Sequence, residues 1–332
     1  MVLGYLVNRF AHEVYVLEPH KIKTGLNDHS VHVFDALNSA KNVRLFFIFT
    51  GLIALLVLVA LWLSYKPFFK KIGKKLDRSS SWALAVIRMA FGASLVLSAL
   101  NNALYGPELP LADFYTPLLL KSLMLVAGVS LIIGLKTRFF AGLSIALWFF
   151  AILVKGPYIL TYINYLGEAI ALVMLPRTIF SIDEKIGSYA SKKFTFEQYS
   201  LPTARILFAL SLLYTAITIK FTTTILTLDV VRDFDLTRFF PFDPIFVVLG
   251  AALIEVLVGL LFLFGIMQRF TSALFLIVMT LSVWFFGEAV WPHLLIIALG
   301  VGLFMHKPDK LTVDSLYLSK KKSISQFLKI NS

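Results

Sequence analysis

The chain has 332 residues, of which 58% are apolar, 14% aromatic and only 15% charged, and its mean hydropathy is +0.83. One water-soluble core cannot bury so many apolar residues, so the composition excludes an ordinary soluble enzyme and predicts a polytopic membrane protein. The formal net charge is +12, and the lack of cysteine excludes disulfides, iron–sulfur clusters, thiolate metal sites and sulfur nucleophiles.

A helix needs about 20 apolar residues to cross the hydrocarbon core of a bilayer. By this criterion the sequence predicts an all-α membrane protein with nine transmembrane helices, at 44–65, 82–104, 116–135, 139–155, 157–176, 201–224, 244–267, 270–287 and 290–306. Residues 1–43 are expected to form a polar extracytoplasmic segment. Its first 20 residues lack the uninterrupted apolar run of a secretory signal. Residues 315–332 are expected to form a basic cytoplasmic tail.

Basic residues are distributed unevenly between the two ends of the predicted helices. One end carries 19 basic and 6 acidic residues, in 66–78, 136–138, 177–200, 269 and 306–332, whereas the other carries 8 and 11. The positive-inside rule places the first end in the cytoplasm. We therefore expect a multi-pass plasma-membrane protein with its N-terminus outside and its C-terminus inside. The same bias explains the net charge, so membrane lipids are expected as partners and nucleic acid is not.

The sequence also contains an internal repeat. Residues 117–183 align without a gap on residues 248–314 at an offset of 131, and the matched pairs are Gly128 with Gly259, Gly134 with Gly265, Arg138 with Arg269, and Asp183 with Asp314. An even number of helices gives both copies the same orientation in the membrane. We therefore expect one extra helix at 44–65, followed by two parallel four-helix units at 82–183 and 201–314.

Four of the charged residues inside the predicted spans form a candidate polar pocket: Arg88, Glu168, Arg205 and Glu255. A charged side chain at the bilayer centre costs about 3 kcal/mol on insertion scales, so each requires a reason. Their positions predict two ion pairs, Arg88 with Glu168 and Arg205 with Glu255. The pocket would hold a quinone headgroup, a proton path or a substrate anion. Alternatively, the same residues lock helices together, or the carboxyl groups are neutral acids bonded to a neighbour.

Further polar residues are expected at the predicted outer mouth of the helices, namely Lys220, Glu288 and His293. A structural interpretation is also open. Lys220 would extend its ammonium group to the membrane surface, and Glu288 and His293 would lie in the aromatic belt expected around Trp291.

Histidines bear on metal and haem binding. The two histidines near predicted spans, His293 and His306, belong to the same helix, so a haem held between facing helices is not expected. His29 and His32, with two histidines upstream, form a weak candidate site for zinc or copper. The alternative is an ordinary polar extension that docks on the helices or on a partner.

Each predicted unit combines a membrane arginine, glycines, a hairpin arginine and a carboxylate. These residues are Arg88, Gly92, Gly134, Arg138 and Glu168 in the first unit, and Arg205, Lys220, Glu255, Gly265 and Arg269 in the second. The pattern resembles the DoxX/DoxD family of four-helix membrane proteins, over roughly two-thirds of the chain. Met124 replaces the second unit's Glu255, and Leu299 replaces the first unit's Glu168, so one polar set is divided between two units.

Members of that family work in membrane redox systems, including thiosulfate:quinone oxidoreductase and respiratory-chain or oxidative-stress complexes. The resemblance implies an integral membrane subunit of a quinone-linked or respiratory redox complex. Such a subunit would use quinone, have no intrinsic metal or haem centre, and associate with other membrane or redox subunits that supply the electron carrier. Two alternatives stay open: a non-catalytic anchor or assembly subunit, and a small-solute carrier with a midplane site between the units. The sequence leaves open whether the protein is an enzyme.

Overall fold

The computed structural model describes residues 17, 21, 24–25, 28–64, 66–175, 179–186 and 196–316. This part of the chain is helical and contains no β-strand. Its α-helices are α1 (Ala40–Ser64), α2 (Pro67–Asp77), α3 (Ser80–Leu100), α4 (Pro117–Ile133), α5 (Thr137–Lys155), α6 (Ile163–Met174), α7 (Ile182–Ile186), α8 (Ser200–Thr215), α9 (Thr224–Asp233), α10 (Pro244–Phe264), α11 (Gln268–Phe286) and α12 (Val290–Met305). A π-helical turn (Ala216–Phe221) continues α8, and short 3₁₀ helices include Val33–Asn38 and Gly156–Tyr162.

Six described helical segments are long and apolar enough to cross a membrane: Ala40–Ser64, Ser80–Leu100, Thr137–Met174, Glu197–Phe221, Pro244–Phe264 and Gln268–Phe286. Two shorter apolar helices, α4 and α12, have 17 and 16 residues. At 1.5 Å per residue, they measure about 25 Å, close to the thickness of the hydrocarbon core. The prediction of an all-helical fold is thus confirmed for the described residues, and six helical segments among them are suited to cross a membrane.

The segment Thr137–Met174 is a helical hairpin. Gly156 separates its two halves with φ +70° and ψ −157°, a backbone conformation that favours glycine. Beyond this residue the chain turns through Gly156–Tyr162, and α6 packs back against α5. The indole nitrogen of Trp148 on α5 donates a hydrogen bond of 2.9 Å to the carbonyl oxygen of Tyr162, which fixes the turn.

Helices from the two halves of the chain pack in a crossed pattern. Helix α3 packs against α12, and α6 packs against α8. The hydroxyl of Ser94 on α3 donates to the carbonyl oxygen of Trp291, at the start of α12, over 2.8 Å. The hydroxyl of Ser211 on α8 donates in the same way to the carbonyl oxygen of Thr161, just before α6. The first long helix of each half is therefore bonded to the beginning of the last helix of the other half.

Helix α1 lies at the periphery, and only 6% of its most apolar stretch is buried. Large side chains such as Phe47 and Leu56 are more than half exposed, whereas Phe49 packs its ring on Phe242 of the bundle. An apolar helix so little covered by protein is suited to contact lipid.

Two glycines set the close approach of α3 and α4. A Cβ added at Gly92 would lie 2.5 Å from the carbonyl oxygen of Gly128, and one added at Gly128 would lie 2.6 Å from the carbonyl oxygen of Gly92. Both distances are well below van der Waals contact and involve backbone, which cannot move without separating the helices. Small residues at such crossings let membrane helices pack closely.

We therefore predict that Gly92→Ala and Gly128→Ala each lower the free energy of unfolding by about 1–3 kcal/mol, because the added methyl group overpacks the crossing. Gly142 lies within α5 with nothing within 4 Å of its Cβ position, so Gly142→Ala is the matched control. It should leave stability unchanged or raise it, since alanine favours helix by up to about 1 kcal/mol. Thermal melting of the detergent-solubilised protein measures all three. Equal melting temperatures for Gly92→Ala and Gly142→Ala would contradict the close approach.

Candidate functional site

Arg88 is fully buried on α3 and caps the C-terminal end of α4. Its guanidinium donates to the carbonyl oxygens of Leu131 and Ile132, the second over 2.8 Å, and to that of Phe180 over 3.0 Å. The last carbonyl groups of a helix have no donor within the helix, and in an apolar setting they need one from elsewhere. Arg88 supplies it, and its positive charge also suits the negative end of the helix dipole.

Arg205 on α8 does the same for α10. Its guanidinium donates to the carbonyl oxygens of Phe262 and Leu263 and, over 3.1 Å, to that of Leu311. These three acceptors lie 131 residues after Leu131, Ile132 and Phe180, the acceptors of Arg88. The second arginine has an additional partner, because its Nε atom donates to the carboxylate of Asp309 over 3.1 Å.

Two aspartates complete the arrangement at the helix that follows. Asp183 accepts hydrogen bonds of 2.8 Å from the backbone nitrogens of Lys136 and Thr137, at the start of α5. Asp314 accepts bonds of 2.9 Å from the backbone nitrogens of Met267 and Gln268, at the start of α11. The offset is again 131. We call the two sets, Arg88 with Asp183 and Arg205 with Asp314, the Arg–Asp clamps.

The two ion pairs expected from the sequence do not form. Arg88 is bonded to carbonyl oxygens and Arg205 to carbonyl oxygens and Asp309, whereas Glu168 and Glu255 lie elsewhere. The reason is that a helix end offers an arginine several fixed carbonyl acceptors, which match its fork of donors better than one distant carboxylate. The predicted four-residue pocket is therefore separated into two clamp arginines and two carboxylates with different surroundings.

Glu255 on α10 forms an ion pair with Lys220 in the π-helical turn after α8. The Lys220 side chain is 6% exposed and that of Glu255 20%. The π-helical turn changes the direction of the side chains in this stretch, and such turns are frequent at functional sites. Lys220, expected at the outer mouth of the helices, thus has the membrane carboxylate of the second half as its partner.

Glu168 on α6 is fully buried, and neither oxygen of its carboxyl group has a hydrogen-bond partner among the described residues. Burying a polar group without such a partner costs a few kcal/mol. On the same side of the helix, Asn164 and Tyr165 precede it and Ala171 and Leu172 follow it, and all four are buried. A membrane carboxyl group of this kind is a candidate functional group.

A column of tyrosines leads from Glu168 to the end of the bundle that holds residues 101–116. Tyr165 precedes Glu168 by one helical turn, and its hydroxyl is 2.7 Å from that of Ser94. The ring of Tyr165 lies 5.8 Å from that of Tyr162 and 4.4 Å from that of Tyr105. All three tyrosine side chains are buried.

Glu108 lies at the head of this column, in the loop between α3 and α4. Tyr158 donates a hydrogen bond of 2.6 Å to its Oε1 atom, and Tyr162 donates to the same atom. The other oxygen, Oε2, is buried without a partner among the described residues. Burial raises the pKa of Glu108, against the opposing effects of the two tyrosine hydroxyls and of His293.

His293 and Glu288, the remaining residues predicted at the outer mouth, form a pair at the start of α12. Nε2 of His293 lies 2.7 Å from the Glu288 carboxylate, and Nδ1 lies 2.7 Å from the carbonyl oxygen of Ala289. The buried indole nitrogen of Trp291 has no partner in the described part of the chain. These groups and Glu108 make this end of the bundle polar inside.

The N-terminal histidines do not assemble with other ligands in the described residues. His29 faces the carbonyl oxygen of Thr222 at 3.3 Å, and no group of three histidine, cysteine or acidic side chains suited to hold a metal is found in residues 28–64, 66–175, 179–186 and 196–316. His32 caps the 3₁₀ helix Val33–Asn38. The other two histidines of the candidate site, His12 and His20, lie outside the described residues.

The sequence did not point to Glu108, the tyrosine column or the capping role of the aspartates. One signal was present, because Tyr158, Tyr162 and Tyr165 are spaced by four and three residues and so share a helix face. The repeat also matched Asp183 with Asp314, which marked the position but not its function. Glu108 had no signal, since its loop folds over the helix ends only in three dimensions.

Comparison with known proteins adds no assignment. No family model matches the chain, and neither curated proteins nor solved structures give a match.

The raised pKa of Glu108 predicts a pH-dependent stability. Because the pKa is higher in the folded than in the unfolded chain, the contribution of this group is complete below the unfolded value of about 4.3 and is lost as the pH rises through the folded value. We expect the melting temperature to fall with rising pH above about 4.3. Glu108→Gln, which keeps an acceptor for both tyrosines, should remove that part of the fall.

Melting curves recorded across this pH range, in one detergent, measure the effect. Glu184→Gln changes an exposed glutamate on α7 and serves as the control, which should keep the wild-type pH dependence. Identical pH dependence in wild type and Glu108→Gln would refute the assignment.

Proposed function

We propose that the chain crosses the membrane nine times, as one helix at 44–65 and two parallel, DoxX-like four-helix units at 82–183 and 201–314. The matching Arg–Asp clamps support this arrangement. The crossed bonds of Ser94 and Ser211 also support it, because a two-fold axis along the membrane normal would relate them. The excess of basic residues in the hairpin loops and the tail 315–332 supports a cytoplasmic C-terminus and an N-terminal segment, 1–43, outside the plasma membrane.

We further propose that the protein is an integral membrane subunit of a quinone-linked redox complex, in which a partner supplies the electron carrier. The observation that carries this proposal is the buried carboxyl group of Glu168 at membrane depth, which has no hydrogen-bond partner in the described part of the chain. Quinone reduction takes up two electrons and two protons, and quinol oxidation releases both. A carboxyl group deep in the bilayer is suited to exchange protons with a headgroup that reaches it from the lipid.

The tyrosine column gives such protons a route to the aqueous side. Tyr165 lies one helical turn before Glu168, its ring lies 5.8 Å from that of Tyr162, and Glu108 accepts hydrogen bonds from Tyr162 and Tyr158 near the bundle end. Hydroxyl groups both donate and accept, so they pass protons between acids without carrying charge at rest. In this proposal Glu168 is the proton-exchanging residue, and the tyrosines and Glu108 connect it to water.

A second candidate is a non-catalytic anchor or assembly subunit. It is favoured by the use of both membrane arginines as helix caps, which leaves them no part in ligand binding. Exposed apolar side chains on α11, such as Trp284 and Ile277, would then face partner helices.

Glu168→Gln tests the redox proposal, because an amide of the same shape cannot exchange a proton. We expect quinone-dependent electron transfer in native membranes to fall at least about 100-fold, the usual effect of losing a general acid–base group. Glu184→Gln, in which an exposed carboxylate is changed, should retain the wild-type rate.

Quinone extracted from the purified protein provides a second measurement. Bound quinone in the wild type, with loss of electron transfer in Glu168→Gln, supports the redox subunit. Unchanged electron transfer in Glu168→Gln and no bound quinone contradict it. If the amount of assembled complex still depends on this chain, that result selects the anchor.

A further inference from the structure

Helix α2 (Pro67–Asp77) has three different sides. The side of Gly73 and Asp77 faces the bundle, because Asp77 forms an ion pair with Arg269 and a Cβ at Gly73 would lie 2.5 Å from the same guanidinium. Arg269 is itself held by the carbonyl oxygen of Phe304 over 3.2 Å. This side of the helix therefore packs against α11 and α12.

The second side of α2 is apolar and uncovered. Phe68, Phe69 and Ile72 are 66%, 43% and 39% exposed, and Leu76 continues their stripe. With 3.6 residues per turn, positions 68, 69, 72 and 76 fall within about a third of the circumference. In water three large apolar side chains would not remain exposed together, so this stripe needs an apolar medium.

The third side is basic. Lys71, Lys74 and Lys75 are exposed on the arc opposite the bundle contact, and Lys71 and Lys75 border the apolar stripe. Lys66, just before the helix, lies 3.7 Å above the ring of Trp62 at the end of α1. A tryptophan and a lysine at the end of a membrane helix mark the level of the lipid headgroups. Helix α2 follows directly, so its apolar and basic sides lie at that level.

We propose that α2 is a built-in binding site for anionic phospholipid headgroups, with its apolar stripe in the acyl boundary and its lysines on the phosphates. An amphipathic helix with this division of side chains lies in the plane of the interface and prefers anionic lipid. Charge complementarity selects the occupant, because Lys71 and Lys75 border the stripe and the only acid of the helix, Asp77, is engaged by Arg269. This site is distant in sequence from Glu168 and independent of the redox proposal.

The test uses the full chain reconstituted in nanodiscs that contain equal amounts of phosphatidylcholine and phosphatidylglycerol. After extraction into detergent, mass spectrometry of the lipids that stay bound gives the ratio of the two. We expect the wild type to be enriched in phosphatidylglycerol and Lys71→Gln/Lys75→Gln to lose at least about fivefold of that enrichment, since each interfacial lysine contributes about that factor.

Lys185→Gln/Lys307→Gln removes the same charge from exposed lysines at the same end of the bundle and should keep the enrichment. An equal loss in both pairs, or no enrichment in the wild type, would overturn the proposal. So would displacement of phosphatidylglycerol by an equal concentration of inorganic phosphate, which would indicate a site for phosphate alone. Phe68→Ser/Ile72→Ser should lower retention of both lipids, and unchanged retention would likewise refute the docked geometry.

Discussion

The helix ends at the two tight hairpins impose the constraint on which the rest of the structure depends. Between α4 and α5, and between α10 and α11, a few residues separate unsatisfied carbonyl groups from unsatisfied amide groups, close to a medium that offers no hydrogen bonds. Each Arg–Asp clamp supplies both missing partners, with the arginine on the carbonyl groups and the aspartate on the amides. Because Arg88 comes from α3 and Asp183 from the segment after α6, the first clamp ties both of these to the hairpin between α4 and α5.

The two halves share the capping arginines but differ in their other polar groups. The clamps are the same in both, but the carboxylates are not, since Met124 is buried where the second half has Glu255 and Leu299 is buried where the first has Glu168. Glu255 is neutralised by Lys220, whereas Glu168 has no partner in the described residues. The two halves thus share their helix-capping residues and differ in the carboxyl groups that could take part in chemistry.

The sequence predicted the helical membrane fold because apolar stretches of bilayer length have few other solutions. It also located the hairpins, through Gly134 and Gly265, which adopt φ of +69° and +60° at the helix ends. The partners of Arg88 and Arg205 could not be predicted, because their acceptors are backbone carbonyl groups, which every residue has. Glu108 was missed for a related reason, since a carboxylate in a loop has no periodicity that would place it over Tyr162. The nine-helix count and the DoxX-like resemblance stay predictions.

The two halves also differ in what covers the end opposite the clamps. In the first half, the loop 101–116 folds over the helices and brings Glu108 onto the tyrosine column. In the second half, α9 and the N-terminal residues Val33 and Ala36 pack with Phe246 in one apolar cluster. The cover of the first half therefore contains a buried acid, whereas the cover of the second half is apolar. Glu108, which accepts hydrogen bonds from Tyr158 and Tyr162, is therefore the carboxyl group that this cover adds to the first half and that the apolar cover of the second half lacks.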